Sequence, residues 1–118
     1  MMNESLLHFV ETTVFTKRID KLASPELLFD LQNDLLLNPK RGEVISGTNG
    51  ARKARIGDRR AGRGKSGAFR YLYLYPEKAG MIYLLVFFSK NEKDNLSKAE
   101  RNEIAALVRH LKNIYGEN

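Results

Sequence analysis

Hydrophobic positions change their spacing along this chain, and the changes predict its elements. Residues 6–13 mix apolar and β-branched side chains, among them Phe9, Val10, Thr12 and Thr13, and predict a strand. Phe15, Ile19 and Leu22 follow at steps of four and three, one face of a short helix. Ser24-Pro25 restarts the chain, with Ser as N-cap and Pro at the first helical position, where its missing N–H costs nothing. The helix it opens sets Leu27, Leu28, Leu31, Leu35 and Leu36 on one side and ends at Asn38-Pro39. Two amphipathic helices so closely joined predict an antiparallel hairpin lying on a sheet. Residues 40–50, punctuated by Gly42, Gly47, Asn49 and Gly50, read as loop.

Further along, the period becomes two. Residues 51–56 predict a short strand with Ala54 and Ile56 on one face. In residues 57–67, glycines alternate with Arg59, Arg60, Arg63 and Lys65, too flexible and self-repelling for regular structure. Residues 68–75 alternate: Phe69, Tyr71, Tyr73 and Tyr75 on one face, Ala68, Arg70, Leu72 and Leu74 on the other. After a turn over residues 76–80, residues 81–88 are apolar throughout, as in a strand covered on both faces. Ser97 and Glu100 form a capping box. It opens a helix with the stripe Ile104, Leu107, Val108, Leu111 and Ile114, closing near Gly116. The order β-α-α-β-β-β-α predicts one α+β domain over residues 1–118, a mostly antiparallel sheet with an N-terminal helical hairpin and a C-terminal helix.

Composition narrows the classes. A chain of 118 residues, 42% of them apolar, is enough for a single core. It has no cysteine, which excludes disulfides, thiolate zinc sites and thiol nucleophiles. The first ten residues do not read as a signal peptide, and the apolar run at 81–88 is far short of the ~20 residues that span a bilayer. The protein is expected in the cytoplasm, with no membrane partner. Its net charge of +6 has one source. Residues 52–70 hold Arg52, Lys53, Arg55, Arg59, Arg60, Arg63, Lys65 and Arg70 against the single acid Asp58, and elsewhere acids slightly outnumber bases. So localised a field points to a polyanion, nucleic acid before membrane.

Some motifs do not hold. Residues 62–67 match G-x-G-x-x-G, but that fingerprint works between a strand and a helix, and here a strand follows. Gly64-Lys65-Ser66 imitates the end of a phosphate-binding loop, yet Arg59 stands where the earlier glycine is required. His8 and His110 lie far apart, with no third metal ligand in view and no histidine near the basic segment. The carboxylates are scattered. The row of tyrosines reads as packed core rather than as a stacking platform for bases.

What remains is a basic loop between two strands, Arg70 on the second, and the string Ser89-Lys90-Asn91-Glu92-Lys93 beyond the third. Antiparallel pairing would gather Lys53, Arg55, Arg70 and Lys90 into one concave patch. The string from Arg52 to Ile56, the Gly/Arg/Lys loop, the strand Ala68-Phe69-Arg70-Tyr71, and Tyr83 through Lys93 before a capped helix together resemble the RelE/HigB toxins of the RelE/ParE superfamily. The HigB-like branch is the nearest, and the likeness runs from Val14-Phe15 through Asn38-Pro39-Lys40 to the last helix.

The resemblance implies an mRNA interferase that enters the ribosomal A site and cuts by 2′-hydroxyl attack on the adjacent phosphate, with neither metal nor cofactor. It implies mRNA, ribosomal RNA and a cognate helix-turn-helix antitoxin as partners. Carried over by position, Arg70 meets the scissile phosphate, Lys53 and Arg55 are the paired basic positions of the preceding strand, and Lys90 is the basic position after the last strand. Arg52, Arg59, Arg60, Arg63, Lys65 and Lys93 are expected on RNA phosphates. Some relatives carry a tyrosine at the start of the final helix; this chain reads Asn95-Leu96 there, which leaves the general base unassigned. A gyrase-poisoning toxin like ParE and a non-catalytic RNA-binding domain are the alternatives.

Overall fold

Met81–Ser89, nine residues without a charge, is the strand that both layers of the molecule pack against. The computed structural model describes residues 7–58, 68–93 and 95–114. In chain order its elements are β1 (His8–Glu11), α1 (Thr13–Leu22), α2 (Pro25–Leu37), β2 (Glu43–Val44), β3 (Arg52–Ile56), β4 (Phe69–Leu74), β5 (Met81–Ser89) and α3 (Lys98–Ile114), with a 3-10 turn, Glu77–Ala79, before β5. The strands form one sheet in the order β1-β5-β4-β3-β2. Only β1 and β5 run parallel; the remaining pairs are antiparallel. This is the expected α+β fold.

Alternation sorts the side chains onto two faces. The α1–α2 hairpin covers one with Phe15, Ile19, Leu27, Leu31 and Leu35, packed on Ala54, Ile56, Phe69, Tyr71, Tyr73, Ile82, Leu84 and Phe87. On the other, α3 sets Ile104 and Val108 against Leu72, Leu74, Tyr83, Leu85 and Phe88. Each fully buried leucine, isoleucine or phenylalanine contributes about 1.5–3 kcal/mol. The tyrosine row is core, as expected: Tyr71 and Tyr73 are both 0% exposed. A bulge between Leu72 and Tyr73 pairs Leu72 with Val86 but Tyr73 with Leu84. It resets the alternation of β5, so Leu84 and Phe87 share the hairpin face despite an odd spacing.

Four local expectations need correction. The first strand stops at Glu11, because Thr12 turns the chain: its hydroxyl accepts from Phe15 N (3.0 Å) and donates to Leu85 O (2.8 Å). Ser24 precedes α2 as expected, but its N–H and hydroxyl both donate to the Asp58 carboxylate, at 2.9 and 3.1 Å, instead of capping the helix. Residues 40–50 are not all loop. The turn at Gly47, Asn49 and Gly50, all at positive φ, returns the chain so that Glu43 and Val44 pair with Lys53 and Arg52. Finally, the helical stripes are narrower than expected: Leu36 is 50% exposed and Ile114 64%, while Leu28, Leu107 and Leu111 pack half-buried at the edges of the cores. The box at α3 forms as expected, with Ser97 N donating to Glu100 Oε1 (2.9 Å) and Glu100 N to Ser97 Oγ (3.1 Å).

Candidate nucleic-acid interface and active site

β3 reads Arg-Lys-Ala-Arg-Ile, and its pleat divides these residues. Ala54 and Ile56 enter the hairpin-side core, and Arg52 shares their face. Lys53 and Arg55 therefore face the α3 side. On β4, Lys53 stands opposite Leu72 and Arg55 opposite Arg70; Arg70 in turn pairs with Phe88 of β5. Three of the four candidate catalytic cations thus share one face across two strands. Like charges directly opposite in a sheet repel, and an anion over the pair relieves the repulsion.

Their exposures differ. Arg55 is exposed, and its guanidinium makes no hydrogen bond or ion pair with the described residues. Lys53 is half-buried, with Nζ donating to Asn95 Oδ1 at 3.4 Å. Arg70 is 5% exposed and its Nη1 donates to Phe69 O (3.2 Å), so it is the buried member of the pair beside the exposed Arg55. Lys90 is exposed just past β5, where its N–H donates to Ala68 O (3.0 Å) and extends the ladder toward the start of β4.

Because β2 pairs only with Arg52 and Lys53, the rest of β3 is an open edge. A cleft of about 510 Å³ lies along it, lined by Arg41, Glu43, Lys53, Ala54, Arg55 and Asn95. Arg41 and Glu43 carried no signal in the sequence, since both fall in a segment without periodicity. Arg41 Nη1 donates to Arg55 O and to Tyr71 Oη, both at 3.2 Å, tying the cleft wall to the buried tyrosine. Burial pushes the Tyr71 phenol up to about 12 against the opposing pull of Arg41, so it keeps its proton and is no base.

The expected RNA contacts divide. Arg52 lies on the opposite face, where Nη1 donates to Gly42 O (2.7 Å) and Lys40 O (3.3 Å); it fastens a turn. Lys93 pairs with Glu100 and lies 5.9 Å over the Phe88 ring, at the start of α3 rather than in the cleft. Arg59, Arg60, Arg63, Lys65 and the glycine motif lie outside the described residues. His8 and His110 are exposed on β1 and α3, away from the cleft. No described helix is long and apolar enough to cross a membrane.

The sequence model for the "RelE toxin of RelE / RelB toxin-antitoxin system" matches residues 45–118, more than half of the chain. The chain belongs to the RelE toxin family. The match contains β3, β4, β5 and α3, hence Lys53, Arg55, Arg70 and Lys90 together. In fold, the chain is similar to the isolated E. coli RelE toxin, crystallised in a P21 form. That similarity covers 92% of this chain and 98% of the other at 16% identity, with a TM-score of 0.52. The chain is thus a RelE-family toxin, a family whose members pair with an antitoxin.

Proposed function

We propose that this RelE-family toxin is a ribosome-dependent endoribonuclease that cuts mRNA by metal-independent attack of a 2′-hydroxyl on the adjacent phosphate. The observation that carries the proposal is the in-register set Lys53, Arg55 and Arg70 on one sheet face, beside an open cleft. Such a reaction needs a base for the hydroxyl, a proton for the leaving 5′-oxygen and positive charge against the phosphorane. Arg55, planar and without a side-chain partner among the described residues, offers two parallel donors to a phosphate. Arg70 adds its charge from the neighbouring strand, and Lys90 serves the same phosphate from the end of β5. Lys53, steadied by Asn95, is placed to give the proton to the 5′-oxygen. Arg59, Arg60, Arg63 and Lys65 hold RNA phosphates and bring the toxin to the ribosome. In the cytoplasm, a helix-turn-helix antitoxin covers the cationic face and blocks the cut.

Primer extension on a message being translated tests this. Cuts within codons that require ribosomes are expected, and co-expression of the cognate antitoxin abolishes them. A gyrase–DNA adduct in place of cuts would instead mark a ParE-type poison, and ribosome binding with uncut message a non-catalytic binder.

A further inference from the structure

We infer that Glu43 is the general base of this cleft, the group that takes the proton from the attacking 2′-hydroxyl; the inference rests on the endoribonuclease reading. Glu43 is the one carboxylate among the six described residues that line the cleft. It is exposed and makes no side-chain hydrogen bond or ion pair with the described residues, although Lys53 stands opposite it in the ladder. This carboxylate stands among Arg41, Lys53 and Arg55, the cations that line the same cleft. Among the described lining residues, the arginines and the Asn95 amide cannot take a proton in its place: an arginine holds its own throughout, and the amide takes none. Lys53, as an ammonium, suits the opposite role.

The backbone under Glu43 is fixed from the far side of the sheet. Tyr73 Oη donates to Pro39 O and accepts from Gly42 N, both at 2.8 Å, while Arg52 holds Gly42 O at 2.7 Å. A Cβ at Gly42 would meet Lys53 O and a Tyr73 ring carbon at 2.9 Å, so only glycine lets the chain pass this close. Glu43 therefore enters the cleft from a pinned strand end, the rigidity that a proton-transfer group needs.

The step balances. Glu43 accepts the 2′-hydroxyl proton as the 2′-oxygen bonds to phosphorus; the P–O5′ bond breaks, and the 5′-oxygen takes a proton from Lys53 Nζ. The products are a 2′,3′-cyclic phosphate and a 5′-hydroxyl, and both side chains then re-equilibrate with water.

The test measures single-turnover cleavage of a ribosome-bound message by the full chain, wild type against E43Q and E43D, with a second message carrying sulfur at the bridging 5′ position of the cut site. E43Q is expected to bind ribosomes and melt as wild type but cut at least about 100-fold more slowly, with E43D recovering part. Sulfur needs no proton to leave, so it rescues K53A but not E43Q. Wild-type rates for E43Q, or rescue of E43Q by sulfur, would overturn the role of Glu43 alone. A wild-type chain that cuts nothing would overturn the nuclease reading and this inference with it.

Discussion

Arg52 and Arg55 stand three residues apart on one strand and do opposite work. Arg52 points to the hairpin side and closes on the carbonyls of Lys40 and Gly42. Arg55 points to the α3 side, exposed beside Arg70. Composition counts both as part of one basic segment. The pleat makes the first a fastener of the turn before β2 and leaves the second exposed at the cleft, where the proposed function has it bind phosphate. Asp58 extends the contrast: the single acid of that segment is 0% exposed and holds Ser24 at the start of α2. The segment's one negative charge serves the fold, as the acceptor that fixes Ser24.

The largest effect separates the two arginines. R55A is expected to lower cleavage by about 2–4 kcal/mol of activation free energy, the range for losing one preorganised donor, with the melting temperature unchanged. R52A should instead lower unfolding stability by about 1–3 kcal/mol, the range for leaving charged-group hydrogen bonds unmade. The salt dependence of its ribosome binding should stay as in wild type. Denaturant unfolding and co-sedimentation across a salt series decide it; equal loss of stability in both variants would erase the distinction.

Arg70 lies between these cases. Being 5% exposed, it should show both effects on replacement by alanine, slower cleavage and a loss of about 1–3 kcal/mol in stability. R70K should regain part of the stability and little of the rate, since lysine lacks the planar fork. A folded, ribosome-bound R70A that cuts at the wild-type rate would remove Arg70 from the site.

For Asp58, D58N keeps the shape but weakens the acceptor for two Ser24 donors, and about 1–2 kcal/mol of stability should be lost. Ribosome affinity at fixed salt should be unchanged, because this charge does not face the ligand. A marked rise in affinity would show that it does.

Much of this was legible in the sequence. Strict alternation over residues 68–75 predicted which tyrosines are core, and Ser97 with Glu100 announced α3 by the reciprocal bonds it makes. The spacing of Lys53 and Arg55 already placed them on one face. What escaped shares a cause: it depends on partners distant in sequence. β2 is two residues long, too short for a period, and exists because a left-handed turn folds it back on β3. Thr12 reads as a strand residue until its hydroxyl finds Leu85 O. Arg41 and Glu43 look like loop residues until β3's open edge makes them cleft walls. Arg70 gives no sign in sequence of being buried, since its cover comes from the whole sheet face.

The smallest effect lies at high pH. Burial raises the Tyr71 phenol from 10.0 to about 12. A raised value means that the folded state binds the proton more tightly, so the contribution is full below pH 10 and lost as pH rises through about 12. Y71F should flatten the fall of stability over that window, which urea unfolding at stepped alkaline pH would show. An unchanged slope would place the alkaline transition elsewhere.

The central claim is that Lys53, Arg55 and Arg70, on the α3 side of the sheet, form the site of a nuclease acting on translated RNA. Purified toxin, ribosomes and a defined message, with 3′ ends mapped after seconds of reaction, test it most directly. Expected are cuts inside the A-site codon that end in a 2′,3′-cyclic phosphate, appear only with ribosomes and vanish in R55A but not in R52A at a temperature where both are folded. Intact message under wild-type toxin, or equal cutting by R55A, would contradict it.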